Sequence, residues 1–560
     1  MNAVLETQER STPQLAEVQP TLIRQFEVLA NASGGVALLR ELILSLAVQG
    51  KLVPQDQDDE PASALLERIH IERRRLTSEI EAERTKPSSA VADDEVPYLL
   101  PETWAWARLP MVYYSISPSS KKLPSSAVKE SGRHPVVDQG QSHIAGYTDE
   151  DALLIRLPGP VVVFGDHTKN IKFIDFDFVA GADGTKILRP LLINERFFAF
   201  QLRSYRLTDR GYARHFKVLN SQLFAVAPIA EQARIVSRVD ELMQLCDALE
   251  AKGRLEAQQH ARLLEALLGT LTDSTTPEEL AANWQRVAEH FDLLLDRPEA
   301  VDVLEQTVLQ LAVRGLLVPQ DPSEEPANDF LVRLRSERQR ALQKGKAQLD
   351  DSWLPVEKAP YTLPSGWIWT TIDAIADVGT GTTPSRENSA FFMGGTIPWV
   401  TSGETGQAFI RKTEQHVTEL ALANTSLTVY PVGTLIVAMY GQGKTRGQVS
   451  ELCLEATTNQ ACAAIVLTEK SALHRGFVKL VFEKSYDEIR AMSAGGAQPN
   501  LNVGKVKASL VPLPPLAEQA RIVARVAGLR RLCADLRQRL AASQATQSRL
   551  AEALVESALA

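Results

Sequence analysis

The stretch AEQARIV at Ala230 to Val236 recurs letter for letter at Ala517 to Val523, 287 positions further on. Two more echoes lie upstream of it. PYLLPETWAW (Pro97 to Trp106) returns as PYTLPSGWIW (Pro360 to Trp369), an offset of 263. LAVQGKLVPQD (Leu46 to Asp56) returns as LAVRGLLVPQD (Leu311 to Asp321), an offset of 265. Three markers in one order mean a duplicated unit of about half the chain. The offset grows between the second and third markers, so the second intervening block is the larger.

Each unit has the same grammar. A helical arm comes first, ALLRELILSLAVQGKLVPQ then ASALLERIHIERRRL, matched by VLEQTVLQLAVRGLLVPQ and NDFLVRLRSERQRAL. Gly50 and Gly315 stand where helix C-caps are expected, with Pro54 and Pro319 just beyond. A block of β-rich runs follows, including PVVVFG and TLIVAMYG, and a long helix starting at AEQARIV closes the unit. Ile235, Val239, Leu242, Cys246 and Leu249 are spaced 4, 3, 4, 3, and Ile522, Val526, Leu529, Cys533 and Leu536 repeat the register. A 3.5-residue average is a coiled-coil seam. The expectation is that the two helices, each of roughly 35–40 residues and ~55–60 Å at 1.5 Å per residue, pair with one another rather than lie on globular cores.

The predicted organisation is an N-terminal extension (1–35), an arm (36–96), a mixed block (97–229), a long helix (230–272), a linker (273–300), a second arm (301–359), a second mixed block (360–516) and a second long helix (517–560). The fold class is α/β: two mixed α/β domains in a tandem pseudo-repeat, separated by long antiparallel coiled-coil helices.

Composition narrows the functions. With 560 residues the chain holds three or four domains. No apolar run approaches a membrane span, and MNAVLETQERSTPQ has neither the basic cap nor the apolar core of a signal peptide. Four cysteines, at 246, 453, 462 and 533, form no CxxC pair, which fits a reducing cytoplasm. Nine histidines show no HxxxH or HExxH spacing, so no metal is expected. Net charge is −9, yet residues 98–228 carry 16 basic against 12 acidic side chains and residues 361–514 carry 12 of each. Acid is concentrated in the helices, leaving two neutral-to-basic blocks suited to phosphate contact.

LIVAMYGQGKTRGQ (Leu435 to Gln448) carries the spacing of a phosphate-binding loop in Ala438, Gly443, Lys444 and Thr445. Such a loop joins a strand to a helix whose N-terminal N–H groups face the phosphates. Thr434 to Met439 reads as the strand, but Gly447 falls where the helix should be starting. A hairpin is the preferred reading. A nucleotide-dependent enzyme built on Lys444 and Thr445 is the alternative, and a structural coiled-coil adaptor a third. Asp377 to Thr382, DVGTGT, resembles the start of a methyltransferase cofactor loop, but Pro384 follows it and no amphipathic helix succeeds it.

VPLPPLAEQARIVARV (Val511 to Val526), LPSGWIWTTI, GTGTTPSRENSAFFMGGTIPWVTSGE (Gly379 to Glu404), FGDHTKNIKFIDFDFVAGADGTKIL (Phe164 to Leu188) and GYARHFKVLNSQLFAVAPIAEQ (Gly211 to Gln232) together resemble the specificity subunits of type I restriction–modification enzymes. The likeness covers nearly all of the chain after about residue 35. The first half departs at VAPIAEQ, where the second has VPLPPLAEQ, which puts the local turn in question. The resemblance implies a non-catalytic, cytoplasmic chain whose two target-recognition domains each read one half of a split site on double-stranded DNA. It also implies two modification (methyltransferase) subunits and restriction/translocase subunits as partners, which would hold S-adenosylmethionine, ATP and Mg, none being bound by this chain.

Candidate DNA contacts are polar residues in loops, where Asn and Gln suit adenine and Lys and Arg suit guanine. In the first block these are Gln139, Gln141 and His143; His167, Thr168, Lys169 and Asn170; and Arg206, Arg210, Arg214, His215 and Lys217. If helical, the three arginines form an i, i+4, i+8 stripe, which is either a DNA contact or a solvated face. The second block offers Thr382, Thr383, Ser385, Arg386, Thr401 and Ser402; Gln442, Lys444, Thr445 and Arg446 at the hairpin tip; and Gln498, Asn500, Asn502 and Lys505.

Overall fold

A computed structural model describes residues 34–76, 91–117, 122–181, 184–208, 214–343, 359–441, 445–494 and 501–559, with Leu29 and Ala32. The chain forms two compact units, Met1–Glu256 with Ser543–Ala560, and Ala257–Ala542.

In the first unit the arm helix Gly35–Val48 buries Leu39, Leu42, Ile43 and Leu46. Gly50 ends it at φ +68°, and a Cβ there would stand 2.6 Å from Pro101, so only glycine fits. Helix Ala62–Leu76 follows. The mixed domain contains β1 (Ala105–Arg108), β2 (Tyr113–Ile116), β3 (His134–Val137), β4 (Gly146–Thr148), β5 (Leu154–Ile155), β6 (Val161–Gly165), β7 (Ile171–Ile174), β8 (Phe178–Ala180), β9 (Thr185–Pro190) and β10 (Leu223–Val226). β2-β9-β6-β7 form one sheet and β4-β3-β8-β5 another, while β10 pairs with β1 and leads into the long helix Ile229–Asp273. Every residue of β6 is buried, which explains why it reads as a continuous apolar run.

The second unit repeats this with β11 (Ile368–Thr371), β12 (Ala376–Thr380), β13 (Ile397–Val400), β14 (Phe409–Ile410), β15 (Gln415–Val417), β16 (Leu435–Ala438), β17 (Val449–Leu452), β18 (Thr457–Thr458), β19 (Cys462–Leu467) and β20 (Leu510–Leu513). Its sheets are β12-β19-β16-β17-β14 and β15-β13-β18, and β20 pairs with β11 before the helix Leu516–Leu559. The two domains therefore share one core topology among the described residues, the first adding β5 beside β8 and the second adding β14 beside β17. β10 and β20, and the starts of the two long helices, keep the 287 offset, so VAPIAEQ and VPLPPLAEQ make the same turn.

The repeated markers meet in space. The indole N–H of Trp104 donates to Glu231 (2.9 Å) and so does the amide of Gln55 (2.7 Å). The indole N–H of Trp367 and the amide of Gln320 do the same to Glu518, at 2.9 and 3.2 Å. Arg234 pairs with Asp59, and Arg521 with Glu324. Each node ties arm, mixed domain and long helix together, and buried charge-accepting partners of this kind tolerate little substitution. Burial raises both glutamate pKa values above the usual carboxylate range, against the lowering effect of the tryptophan and glutamine hydrogen bonds.

The seam divides its work. Ile235, Val239, Leu242 and Cys246 lie in the first unit's core with the arm helix and with Ala551 and Val555. Ile522 and Val526 lie in the second domain's core, and only Cys533 onward meets Leu264, Leu268 and Leu271. The expectation of mutual pairing alone is corrected: the first turns of each long helix sit on a globular core, because the mixed domain and arm supply apolar partners there. The start of the first long helix shares a core with the end of the second, and the middle of the second shares one with the end of the first. They have 45 and 44 residues, longer than expected. Within 273–300, read as a linker, the chain folds as helices Pro277–Glu289 and Phe291–Leu294.

Candidate nucleic-acid interface

In the first domain three loops are drawn together where strands end. β3 runs out at Val137 and the chain passes through Asp138 and Gln139; β6 runs out at Gly165. The backbone oxygen of Gln139 accepts from the Thr168 hydroxyl (2.5 Å) and the Asn170 amide (3.0 Å), and its side-chain oxygen accepts from the His167 N–H (3.2 Å). Lys172, buried, donates to the Asp138 backbone (2.8 Å) and pairs with its carboxylate at 3.3 Å. The Asp166 N–H donates to Gly184. Lys169 takes φ +61°, the left-handed conformation that closes the turn between β6 and β7.

These bonds assign roles. Gln139 and Asn170 spend polar groups on holding the loop, whereas Gln141, His143, Thr168, Arg214 and Lys217 face solvent. His143 also rests edge-on against Phe176 at 5.8 Å. His215 is corrected: it is fully buried, its N–H and ring nitrogen both meet the Asp166 backbone oxygen, and it anchors the short helix Phe216–Asn220 to the β6–β7 loop. The arginine stripe is corrected too. The helix Glu195–Ser204 ends before Arg206, whose guanidinium turns to Glu41 of the arm at 4.0 Å, and Arg214 precedes the next helix. The extended backbone at Tyr205 stops the helical register. Arg210 lies outside the described residues.

The second domain builds the matching loops from other residues. After β12, the Thr382 backbone oxygen accepts from the Trp399 indole (3.2 Å) and the Thr383 hydroxyl donates to Gln460. A Cβ on Gly381 would stand 1.6 Å from the Thr458 backbone oxygen, so this glycine serves strand packing, and β12 pairs antiparallel with β19 instead of leading into a cofactor helix. Arg386 reaches Gln415 at 3.5 Å, and Ser385 is exposed. Thr401 caps the turn Ser402–Gly406 through Glu404, whose other oxygen accepts from the Glu414 N–H (3.0 Å); Glu404 is thereby satisfied and buried. Asn502 caps the helix Val503–Lys507 by accepting from the Lys505 N–H. Lys505 is exposed. Gln442, Lys444, Gln498 and Asn500 lie outside the described residues.

The phosphate-loop likeness resolves at its exit. Thr445 to Gln448 turn directly into β17, which pairs antiparallel with β16 through Val437 and Val449. Among the described residues no helix begins between β16 and β17. Arg446 in this turn has a buried Nε with no hydrogen-bond partner. Sequence reasoning missed Gln415, Gln448 and Gln460; Gln448 meets the Thr405 hydroxyl at 3.3 Å. Only the strand order, absent from the local sequence, places these glutamines beside the loops already singled out.

Comparison with known proteins gives the framework its family. A model for the type I restriction modification DNA specificity domain matches residues 364–543. The type I restriction enzyme EcoEI specificity subunit of Escherichia coli is 31% identical over 576 residues, covering 94% of each chain. The chain belongs to the type I restriction enzyme specificity subunits. A second specificity subunit, that of the E. coli EcoAI enzyme, is 29% identical with the same coverage. An HsdS subunit of Thermoanaerobacter tengcongensis aligns with a TM-score of 0.36 and 18% identity over 83% of this chain and 98% of that one. A specificity subunit is the DNA-recognition component of its system, and the nucleotide-enzyme and adaptor alternatives have no support. Among the described residues no helix is long and apolar enough to cross a membrane, and no three His, Cys, Asp or Glu side chains group to hold a metal.

Proposed function

We propose that the two mixed domains each read one half of a split DNA site, and that the chain works in the cytoplasm with two modification subunits and with restriction subunits. One observation carries this reading. Candidates from two dissimilar blocks fall on equivalent loops of one core topology: 138–141 and 401–402 follow β3 and β13, and 166–170 and 445–446 follow β6 and β16. A shared scaffold with different side chains at its loop tips is what two readers of unlike sequence require. The exposed contacts are Gln141, His143, Thr168, Arg214, Lys217, Ser385, Arg386 and Lys505, while Gln139, Asn170, Thr382, Thr401 and Asn502 hold their loops. S-adenosylmethionine, ATP and Mg belong to the partner subunits, which carry out methyl transfer and cleavage.

Replacing residues 98–228 by the same block of a relative, followed by methylation mapping with the partner subunits, tests this. One half of the methylated motif should change and the other stay. A motif that stays whole, or a continuous short site, refutes it.

A further inference from the structure

The two arms end differently, and the difference leaves a vacancy in one of them. In the second unit Arg314, the last residue of helix Pro298–Arg314, lays its guanidinium 5.2 Å over the ring of Tyr361. Tyr361 is held by its hydroxyl on the Val313 backbone oxygen (3.0 Å) and edge-on against Trp369 at 4.9 Å. The first unit keeps that frame: the Tyr98 hydroxyl donates to Val48 (3.2 Å) and its ring meets Trp106 edge-on at 5.0 Å. At the position of Arg314, 265 residues earlier, stands Gln49. Gln49 carries no charge to lay over the ring. A cleft of about 310 Å³ opens there, lined by Gln49, Glu95, Tyr98, Trp106, Tyr205 and Arg206 among others.

The lining suits a planar cation. Gln49 Oε1 is out of solvent and has no hydrogen-bond partner, an acceptor that costs free energy until something donates to it. Glu95 brings a carboxylate, already paired with Arg108 at 2.7 Å, whose pKa that arginine lowers. Arg206 is the one lining cation among the named residues, and its guanidinium is directed to Glu41 at 4.0 Å. Tyr98 offers the aromatic wall. An aromatic wall, a neutral acceptor and a carboxylate together select guanidinium over an apolar group.

We infer that this cleft is a docking socket for an arginine side chain presented by a partner polypeptide, occupying on the first arm the place that Arg314 fills on the second. The inference does not rest on the DNA-reading proposal, since neither the cleft nor its lining belongs to the candidate DNA loops apart from Arg206.

The full chain should give a saturable saturation-transfer NMR signal with N-acetyl-arginine amide, at least about tenfold weaker with the citrulline analogue, which keeps the shape without the charge. Gln49→Arg supplies the guanidinium internally: that variant should lose the signal, melt higher than wild type, and bind one of the chain's modification or restriction components at least about tenfold more weakly. A signal equal for arginine and citrulline, or one kept in Gln49→Arg, overturns the socket, as does a lower melting temperature. Tighter binding of free arginine than of the capped amide, or unchanged affinity for every component, overturns the polypeptide as the source.

Discussion

Replacing Glu231 by alanine removes the acceptor on which the three repeated markers of the first half converge. The Trp104 indole N–H is buried and would be left without its 2.9 Å partner, and the Gln55 amide would lose a 2.7 Å contact while keeping one to the Gly50 backbone oxygen at 3.2 Å. An orphaned buried donor costs about 1–3 kcal/mol. The second loss is smaller because Gln55 is exposed and keeps a partner, so the sum is about 2–4 kcal/mol. For a unit of this size that is a fall of roughly 4–8 °C in melting temperature. Glutamine at 231 keeps an acceptor for Trp104 but turns an NH2 toward Gln55, and should cost about half as much. The pH dependence separates the two contributions. Burial raises the Glu231 pKa, so the fold favours the protonated carboxyl; its contribution is full below the unfolded value and is lost as pH rises through the raised one. Wild type should therefore gain stability relative to Glu231→Gln as pH falls from 7 toward 4.5. Scanning calorimetry of wild type, both variants and the exposed control Glu256→Ala measures all of this. An alanine variant within about 0.5 kcal/mol of wild type, or a Gln variant whose melting tracks wild type at every pH, refutes the account of the node.

Glu518→Ala should reproduce the loss in the second unit, and a calorimetric transition that moves for one variant and not the other would show the units melting separately. Gly381→Ala drives a methyl into the Thr458 backbone oxygen and should cost more than about 2 kcal/mol by thermal melting while sparing recognition of the other half-site. Lys217→Ala and Lys505→Ala, both exposed, should weaken binding across all sequences and each reduce the slope of log K against log salt by about 0.9, read by fluorescence anisotropy. Thr445→Ala should leave nucleotide affinity at background in calorimetric titration, since the turn leads into a strand.

The duplication, the arms and the long helices were legible because their signals are periodic or repeated: a 4-3 spacing, a C-cap glycine, an identical heptapeptide. The reader domains were legible only as β-rich blocks. Their common topology shows in no residue match, because it is set by which strands pair, and β3 with β8 or β13 with β18 are parallel contacts across more than 40 residues. The same distance hid the glutamines at 415, 448 and 460. His215 was misread because a basic residue among arginines looks exposed in sequence, while its actual partner, Asp166, lies 49 positions away. The heptad was read as one seam because periodicity records that a face is apolar and not what covers it.

Duplication raises a problem of register, since each arm must choose between two similar long helices, and the structure answers it with reversed charge and reversed size. In the first unit Arg40 of the arm pairs with Asp247 (2.7 Å) and Glu250 (2.9 Å) of the long helix. At the equivalent places in the second unit stand Glu305 on the arm and Arg537 on the helix, 2.5 Å apart, with Asp302 joining at 2.8 Å. Exchanging partners would set Arg40 against Arg537 and Glu305 against Glu250. Volumes are reversed in the same way. Leu42 and Ile43 of the first arm share a core with Ala551 and Val555, whereas their counterparts Thr307 and Val308 are smaller and the helix positions equivalent to Ala551 and Val555 are Leu264 and Leu268. Exposed ion pairs of this kind add well under about 1 kcal/mol to stability, yet like charges and overpacked methyls in the exchanged arrangement penalise it from both sides. The chain can thus reuse one scaffold twice without its halves becoming interchangeable, as the proposed reading of two different half-sites requires.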